Sequence, residues 1–242
     1  MTQRIVFVTQ ELDPIAPGGA GAVIAGMATR LSERHQVTVL LGAHSIVSSA
    51  PADFAIATVD TGTVDGTPQW FLDRSRRLAL ELATICRDAK VDMVEFTDFE
   101  ALGFWALSHR EELDLAHVRI AVRLHGPVEA VAAAVGSAPP LFNVLGGLER
   151  LTLSMADMVL VPSAEVGRWA ADRYRLDADR VVVAPPPVPE VHRRRWAPSP
   201  DPSFAFYGRL AEQKGVHDLV QALPPVLDSH PSLVVTVIGP DG

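Results

Sequence analysis

Three loops of this sequence carry side chains whose types and spacing can act on a charged ligand. The richest is Gly208-Arg209-Leu210-Ala211-Glu212-Gln213-Lys214-Gly215. Arg209 follows the short apolar run 204–207 and Lys214 precedes the amphipathic stretch 216–228, so a strand and a helix would hold both cations at one mouth. A helix N-terminus offers free N–H groups and partial positive charge, and an arginine and a lysine beside it make a site for a diphosphate. Gly18 and Gly19 follow the apolar run 4–9 and open the next helical stretch. Glycine there lets the backbone approach a phosphate or carboxylate closely, while a plain tight turn uses the same residues. His125 ends the apolar run 118–124. An imidazole at the carboxyl end of a parallel strand can hydrogen-bond a hydroxyl or phosphate oxygen; the other reading is a turn histidine satisfied by its neighbours.

Other chemistries lack their residues. In the first loop the third glycine of G-x-G-x-x-G falls on Ile24, and the second strand closes with Leu40-Leu41-Gly42-Ala43-His44, without the acid that would hold a dinucleotide ribose. Gly-Lys-Ser/Thr, G-x-S-x-G and H-E-x-x-H do not occur. Asp177-Ala178-Asp179 matches D-x-D but lies in a polar turn far from any glycine loop, and no metal site is assigned. The single cysteine, Cys86, excludes a disulfide scaffold.

The elements that position these loops follow from periodicity. Strands are expected at 4–9, 36–41, 54–59, 92–96, 118–124, 158–161 and 181–184. Helices are expected at 20–34, with Val23, Met27 and Leu31 on one face, and at 68–90, 100–108, 141–156 and 165–174. Strands alternating with helices predict an α/β fold with a parallel sheet. Seven prolines within 185–202, together with His192-Arg193-Arg194-Arg195, mark a linker. The pattern then restarts with a strand at 204–207, a helix at 216–228 and a strand at 233–238. The organisation read is therefore an N-terminal domain over 1–184, a linker over 185–202, and the start of a second domain over 203–242. Two strands and one helix cannot bury a full core, so that part is expected to self-associate or to need a partner subunit. With 21 basic against 29 acidic residues the formal charge is −8, which argues against a nucleic-acid binder. No apolar run reaches membrane-spanning length and a cytoplasmic location is expected.

Four stretches taken together, 18–41 (GGAGAVIAGMATRLSERHQVTVLL), 122–127 (VRLHGP), 156–163 (ADMVLVPS) and 206–215 (FYGRLAEQKG), resemble the retaining GT-B glycosyltransferases of family 4. The resemblance implies two Rossmann-like domains, with a nucleotide-sugar donor bound mainly by the second and an acceptor by the first. Carried over by position, Arg209 and Lys214, with Gly215, match the basic loop on the donor diphosphate. His125 matches the histidine that reaches the donor sugar and its phosphate, and Gly18-Gly19 the loop facing the reacting centre. No metal or other cofactor is implied; the donor would be a UDP- or GDP-sugar, and the acceptor an unidentified glycan, lipid or small molecule. Asp98 and Glu100 either face that acceptor or cap the helix beginning near Phe99. The Glu-x7-Glu segment of the family's second domain is not in the sequence, and Pro185-Pro186-Pro187-Val188 stands where members often read Pro-Asn-Gly-Val. A half-enzyme subunit and a sugar-nucleotide epimerase of the same architecture are the alternatives.

Overall fold

The period-two alternation of apolar residues decides how the first sheet is covered. The computed structural model describes residues 1–16, 18–43, 53–135, 139–187 and 202–239. Its first elements are β1 (Arg4–Thr9), α1 (Gly19–Ser32), β2 (Gln36–Ala43), β3 (Ala55–Asp60), α2 (Pro68–Asp88), β4 (Met93–Thr97) and α3 (Phe104–Ser108). They are followed by β5 (Arg119–Arg123), α4 (Val128–Val135), α5 (Pro140–Met155), β6 (Met158–Val161), α6 (Ala164–Tyr174) and β7 (Val181–Val183). The seven strands pair in parallel in the order β3-β2-β1-β4-β5-β6-β7. On one face Ile5 and Phe7 of β1 join Val37, Val39 and Leu41 of β2 under Ile24, Met27 and Ala28 of α1. On the other, Val6 and Val8 join Leu40, Val94, Phe96, Ile120 and Val122 under Leu78 and Leu82 of α2. Both faces are thus packed, as a parallel sheet requires. The chain leaves β1 in opposite directions toward β2 and β4, so the switch point of the sheet lies between the carboxyl ends of β1 and β4.

Several expectations change in detail. The buried residues of α1 are Gly21, Ile24, Met27 and Ala28, whereas Val23 and Leu31 are only partly covered. The stripe is set by the sheet beneath, not by the four-residue spacing of Val23, Met27 and Leu31. The expected helix over 100–108 is broken: Phe99–Ala101 forms one 3-10 turn, with Glu100 and Ala101 at φ 58 and 54, and α3 starts only at Phe104. The helix α4 has no counterpart among the expected elements, because VEAVAAAV follows a His-Gly-Pro turn and is a short stretch with little polar punctuation.

The chain divides into two units, Met1–Ala130 with Ala138–Pro189, and Val131–Ser137 with Glu190–Gly242. The proline-rich stretch read as a linker, with its basic tetrad, lies outside the described residues from 188 to 201. In the second unit β8 (Ser203–Tyr207) pairs in parallel with β9 (Val234–Ile238), joined through α7 (Val216–Ser229). Among the residues of 202–239 whose burial is described none is buried, and Tyr207 is 85% exposed.

One charged pair lies inside the first sheet. Arg123 Nε donates to Glu95 Oε1 at 2.6 Å, Nη2 reaches Oε2 at 3.2 Å, and Nη1 donates to the Ala184 carbonyl at 2.8 Å. Both side chains are less than a tenth exposed. Removing one partner of such a pair leaves a buried charge uncompensated. Arg123→Leu is therefore expected to lower stability by about 3–5 kcal/mol in denaturant unfolding, and the Glu95→Leu/Arg123→Leu double variant to recover most of that loss.

Candidate functional site

Buried carboxylates organise the carboxyl edge of the first sheet. Asp98 follows β4 and is 1% exposed. Its Oδ1 accepts from the His125 N–H at 2.9 Å and its Oδ2 from the Gly126 N–H at 3.2 Å. This corrects the reading of Asp98 as acceptor-facing or as a helix cap: it makes no side-chain cap bond, and it turns inward to hold the loop after β5. Glu149 of α5 does the same for two other segments, accepting from Glu100 N–H at 2.8 Å and from Val128 N–H at 2.9 Å. No sequence signal pointed to Glu149, since only tertiary packing brings the middle of α5 to this edge. Burial pushes the Asp98 carboxyl up to about 6. Burial, with Asp98 nearby, pushes Glu149 up to about 8. His125 is exposed at one edge, but the protein crowded around it and the Arg123 charge bring its imidazole down to about 4, so it is neutral at physiological pH.

The glycine loop already holds an anion of the chain itself. Glu11 Oε2 accepts from the N–H groups of Ala20 at 3.0 Å and Gly21 at 3.2 Å, at the N-terminus of α1. A Cβ on Gly18 would lie 2.1 Å from the Glu11 carboxylate, and one on Gly21 would lie 2.9 Å from the Leu12 backbone nitrogen. Gly21 is therefore required by close approach of backbone, Gly18 leaves room for the Glu11 carboxylate, and Gly19 faces open space. Two of the N–H groups expected to face a ligand's phosphate or carboxylate are thus taken by the chain's own Glu11.

Over the carboxyl ends of β1, β2 and β3, and beside the turn after β4, lies a pocket of about 470 Å³, with Glu11, Glu100, Ile15, Ala43, Val64 and Trp70 among its walls. Arg74 of α2, 2% exposed, closes its base at the switch point. Its guanidinium joins Gln10, just after β1, to Glu100 Oε2 at 2.7 Å, just after β4, and its Nη2 reaches the Glu100 carbonyl at 3.2 Å. The guanidinium carbon also lies 4.6 Å from the Trp70 ring centroid and 5.0 Å from that of Phe71. Glu100 thus lies on the pocket wall and Asp98 behind it.

In the second unit the loop from β8 to α7 carries Arg209 and Lys214, both exposed. Neither is paired with a carboxylate among the described residues. Gly208 N–H donates to the Ile238 carbonyl, and the turn is closed by Lys214 N–H to Ala211 O and Gly215 N–H to Glu212 O. Gly215 has φ 75 and starts α7, a conformation that favours glycine. His125, Gly18 and Gly19 lie in the first unit, and Arg209, Lys214 and Gly215 in the second. Asp177 accepts from its neighbour Asp179 N–H in a turn, and among the described residues no cluster of His, Cys, Asp and Glu is placed to hold a metal.

Residues 17–191 match the family model described as Glycosyltransferase Family 4. The chain belongs to that family. Among solved structures it is similar to the catalytic domain of starch synthase IV from Arabidopsis thaliana, bound to ADP and acarbose. The identity is 16% and the TM-score 0.63, over 99% of this chain and 69% of that one. It is also similar to Anabaena HepE in complex with UDP-glucose, at 16% identity and TM-score 0.56, over 98% of this chain and 60% of that one. A UDP-N-acetylglucosamine 2-epimerase resembles it at 13% identity and TM-score 0.51, over 97% of this chain and 63% of that one. No match was found among curated protein sequences. At these identities the likeness is one of fold, and it agrees with the GT-B type expected from the sequence. The first unit is a Rossmann-like sheet whose carboxyl edge carries the glycine turn, the histidine loop and the pocket described above. No helix among the described residues is long and apolar enough to cross a membrane.

The buried acids set a pH dependence. The folded chain holds protons on Asp98 and Glu149 more tightly than the unfolded chain, whose ordinary values are 3.8 and 4.5. Their contribution is complete below those values and is lost as pH rises through about 6 and about 8. His125 acts in the opposite sense, but only below its ordinary 6.5. The melting temperature is therefore expected to fall from pH 6.5 to pH 8.5, and Glu149→Gln to flatten that fall while lowering the melting temperature, since an amide cannot accept from both N–H groups.

Proposed function

We infer that the chain takes part in transfer of a sugar, with retention of anomeric configuration, from a nucleotide-sugar to an acceptor bound by the first unit. The observation that carries this reading is the loop 208–215, with two exposed cations that have no carboxylate partner among the described residues, beside a helix N-terminus, in a chain whose residues 17–191 match Glycosyltransferase Family 4. Cleaving a sugar–phosphate bond builds negative charge on the leaving diphosphate and positive charge on the anomeric carbon. Arg209 and Lys214 are suited to the first, and one well-placed donor of this kind lowers the barrier by about 3 kcal/mol. His125, neutral at physiological pH, is suited to hydrogen-bond a sugar hydroxyl or a phosphate oxygen without adding a charge near the developing cation. Assistance by the leaving phosphate itself can deprotonate the acceptor on the same face, so no protein base is assigned. The complex of HepE with UDP-glucose supports a uridine nucleotide as the first donor to try.

In calorimetry with UDP, GDP and their glucose conjugates, one donor is expected to bind. Arg209→Ala/Lys214→Ala is expected to weaken it by about ten- to a hundred-fold, the worth of charge-assisted bonds to phosphate. Unchanged affinity in that variant would place the diphosphate elsewhere.

A second reading, a subunit whose donor domain is completed by another polypeptide, is favoured by the bare second unit. Phe204, Val220, Val234 and Ile238 are all exposed there, and a parallel pair of strands has two open edges. On this reading the isolated chain self-associates as its concentration rises in size-exclusion chromatography, and Phe204→Lys/Val234→Lys returns it to a monomer. A parent chain that elutes as a monomer at every concentration would count against it.

A further inference from the structure

The pocket at the switch point has a charge balance that selects among ligands. Its one cation among the lining residues described is Arg74, and that charge is fully engaged. Nη1 serves Gln10 and Glu100, Nη2 serves the Glu100 carbonyl, and the planar face lies against Trp70 and Phe71. Nε has no acceptor, but it is buried and presents no surface to the pocket. The two carboxylates on the wall each keep a free oxygen. Glu11 spends Oε2 on the N-terminus of α1, and Glu100 spends Oε2 on Arg74, while neither Oε1 has a partner among the described residues. Of the remaining walls, Ile15, Ala16, Ala43 and Val64 are apolar, and Thr61 spends its hydroxyl proton on the Ala43 carbonyl.

We propose that this pocket takes an uncharged or amine-bearing hydroxyl compound with an apolar face, such as a glycoside of an apolar alcohol, and rejects compounds carrying phosphate or carboxylate. The proposal rests on the acceptor-binding role assigned above to the first unit. Free carboxylate oxygens accept hydrogen bonds from hydroxyl or ammonium groups. They repel an anion, and Arg74 cannot serve one without giving up Glu100 and Gln10. The volume of about 470 Å³ accommodates a ligand larger than one hexose ring, with its ring face or aglycone against the apolar wall.

Three probes test this on the full chain by calorimetry or ligand-observed NMR: phenyl β-glucoside, its 6-phosphate and its 6-amino-6-deoxy counterpart. The neutral and amino probes are expected to bind, and the phosphate about ten-fold more weakly or not at all. Raising the salt concentration should narrow the gap in the parent chain without any mutation. Glu100→Gln removes one carboxylate and frees Arg74, so the phosphate probe should gain affinity while the neutral probe changes little. A melting curve confirms that this variant is folded. Equal or tighter binding of the phosphate in the parent chain overturns the proposal, and so does failure of all three probes to bind. Donor binding, measured separately with UDP and GDP, distinguishes the two levels. Its absence with probe selectivity intact overturns the transfer reading and leaves the pocket's selectivity standing.

Discussion

The carboxylate of Asp98 is the contact on which the edge of the first sheet depends. It lies between the ends of two neighbouring strands, β4 and β5, and binds the N–H groups of His125 and Gly126 in the loop after β5. A loop at a strand end has N–H groups with no ladder partner, and leaving them buried and unsatisfied is costly. Here a buried acid satisfies them, at the cost of its own desolvation. Glu149 repeats the solution one layer further out, for the N–H of Glu100 and the start of α4. Burial raises both acids, and Asp98 raises Glu149 further, so the same geometry that holds the loop makes it sensitive to pH.

The strained turn after β4 follows from that arrangement. Glu100 and Ala101 both lie in the left-handed region, which costs a non-glycine residue about 1–3 kcal/mol. The turn is held from two sides, by Glu149 on the Glu100 N–H and by Arg74 on its carboxylate and carbonyl. The strain aims the Glu100 carboxylate into the pocket and brings Arg74 across the switch point. Ser75, one residue on along α2, accepts from the Trp105 N–H and donates to the Leu102 carbonyl, which fixes α2 against the same turn. Function at this edge thus depends on a helix packed beneath it as much as on the loops themselves.

The two units contrast in how their charges are kept. In the first, Arg74, Arg110 and Arg123 are each paired with a carboxylate, and their work is to join segments. In the second, Arg209 and Lys214 are exposed and have no carboxylate partner among the described residues, on a short glycine-bounded loop. Cations committed to carboxylates hold structure, whereas free ones at a helix N-terminus are available to an anion. This division supports donor recognition by the second unit and an acidic, apolar pocket in the first.

The alternating apolar runs determined the parallel α/β architecture, because a strand packed on both faces admits little else, and nearly every strand lies within a residue or two of where the periodicity placed it. The motif residues determined the family: the glycine turn, the histidine after β5 and the Arg–Lys loop are each short, local and legible. Tertiary structure alone decided which acids do what. Nothing local distinguishes Asp98, turned inward, from Glu100, turned into a pocket. Glu11, Arg74 and Glu149 carried no motif at all. Their roles arise where β1, β4, α2 and α5 converge, and a partner 26 or 49 residues away leaves no periodic trace in the chain. A buried charge is placed by whatever it must be neutralised by, and that partner exists only once the sheet has formed.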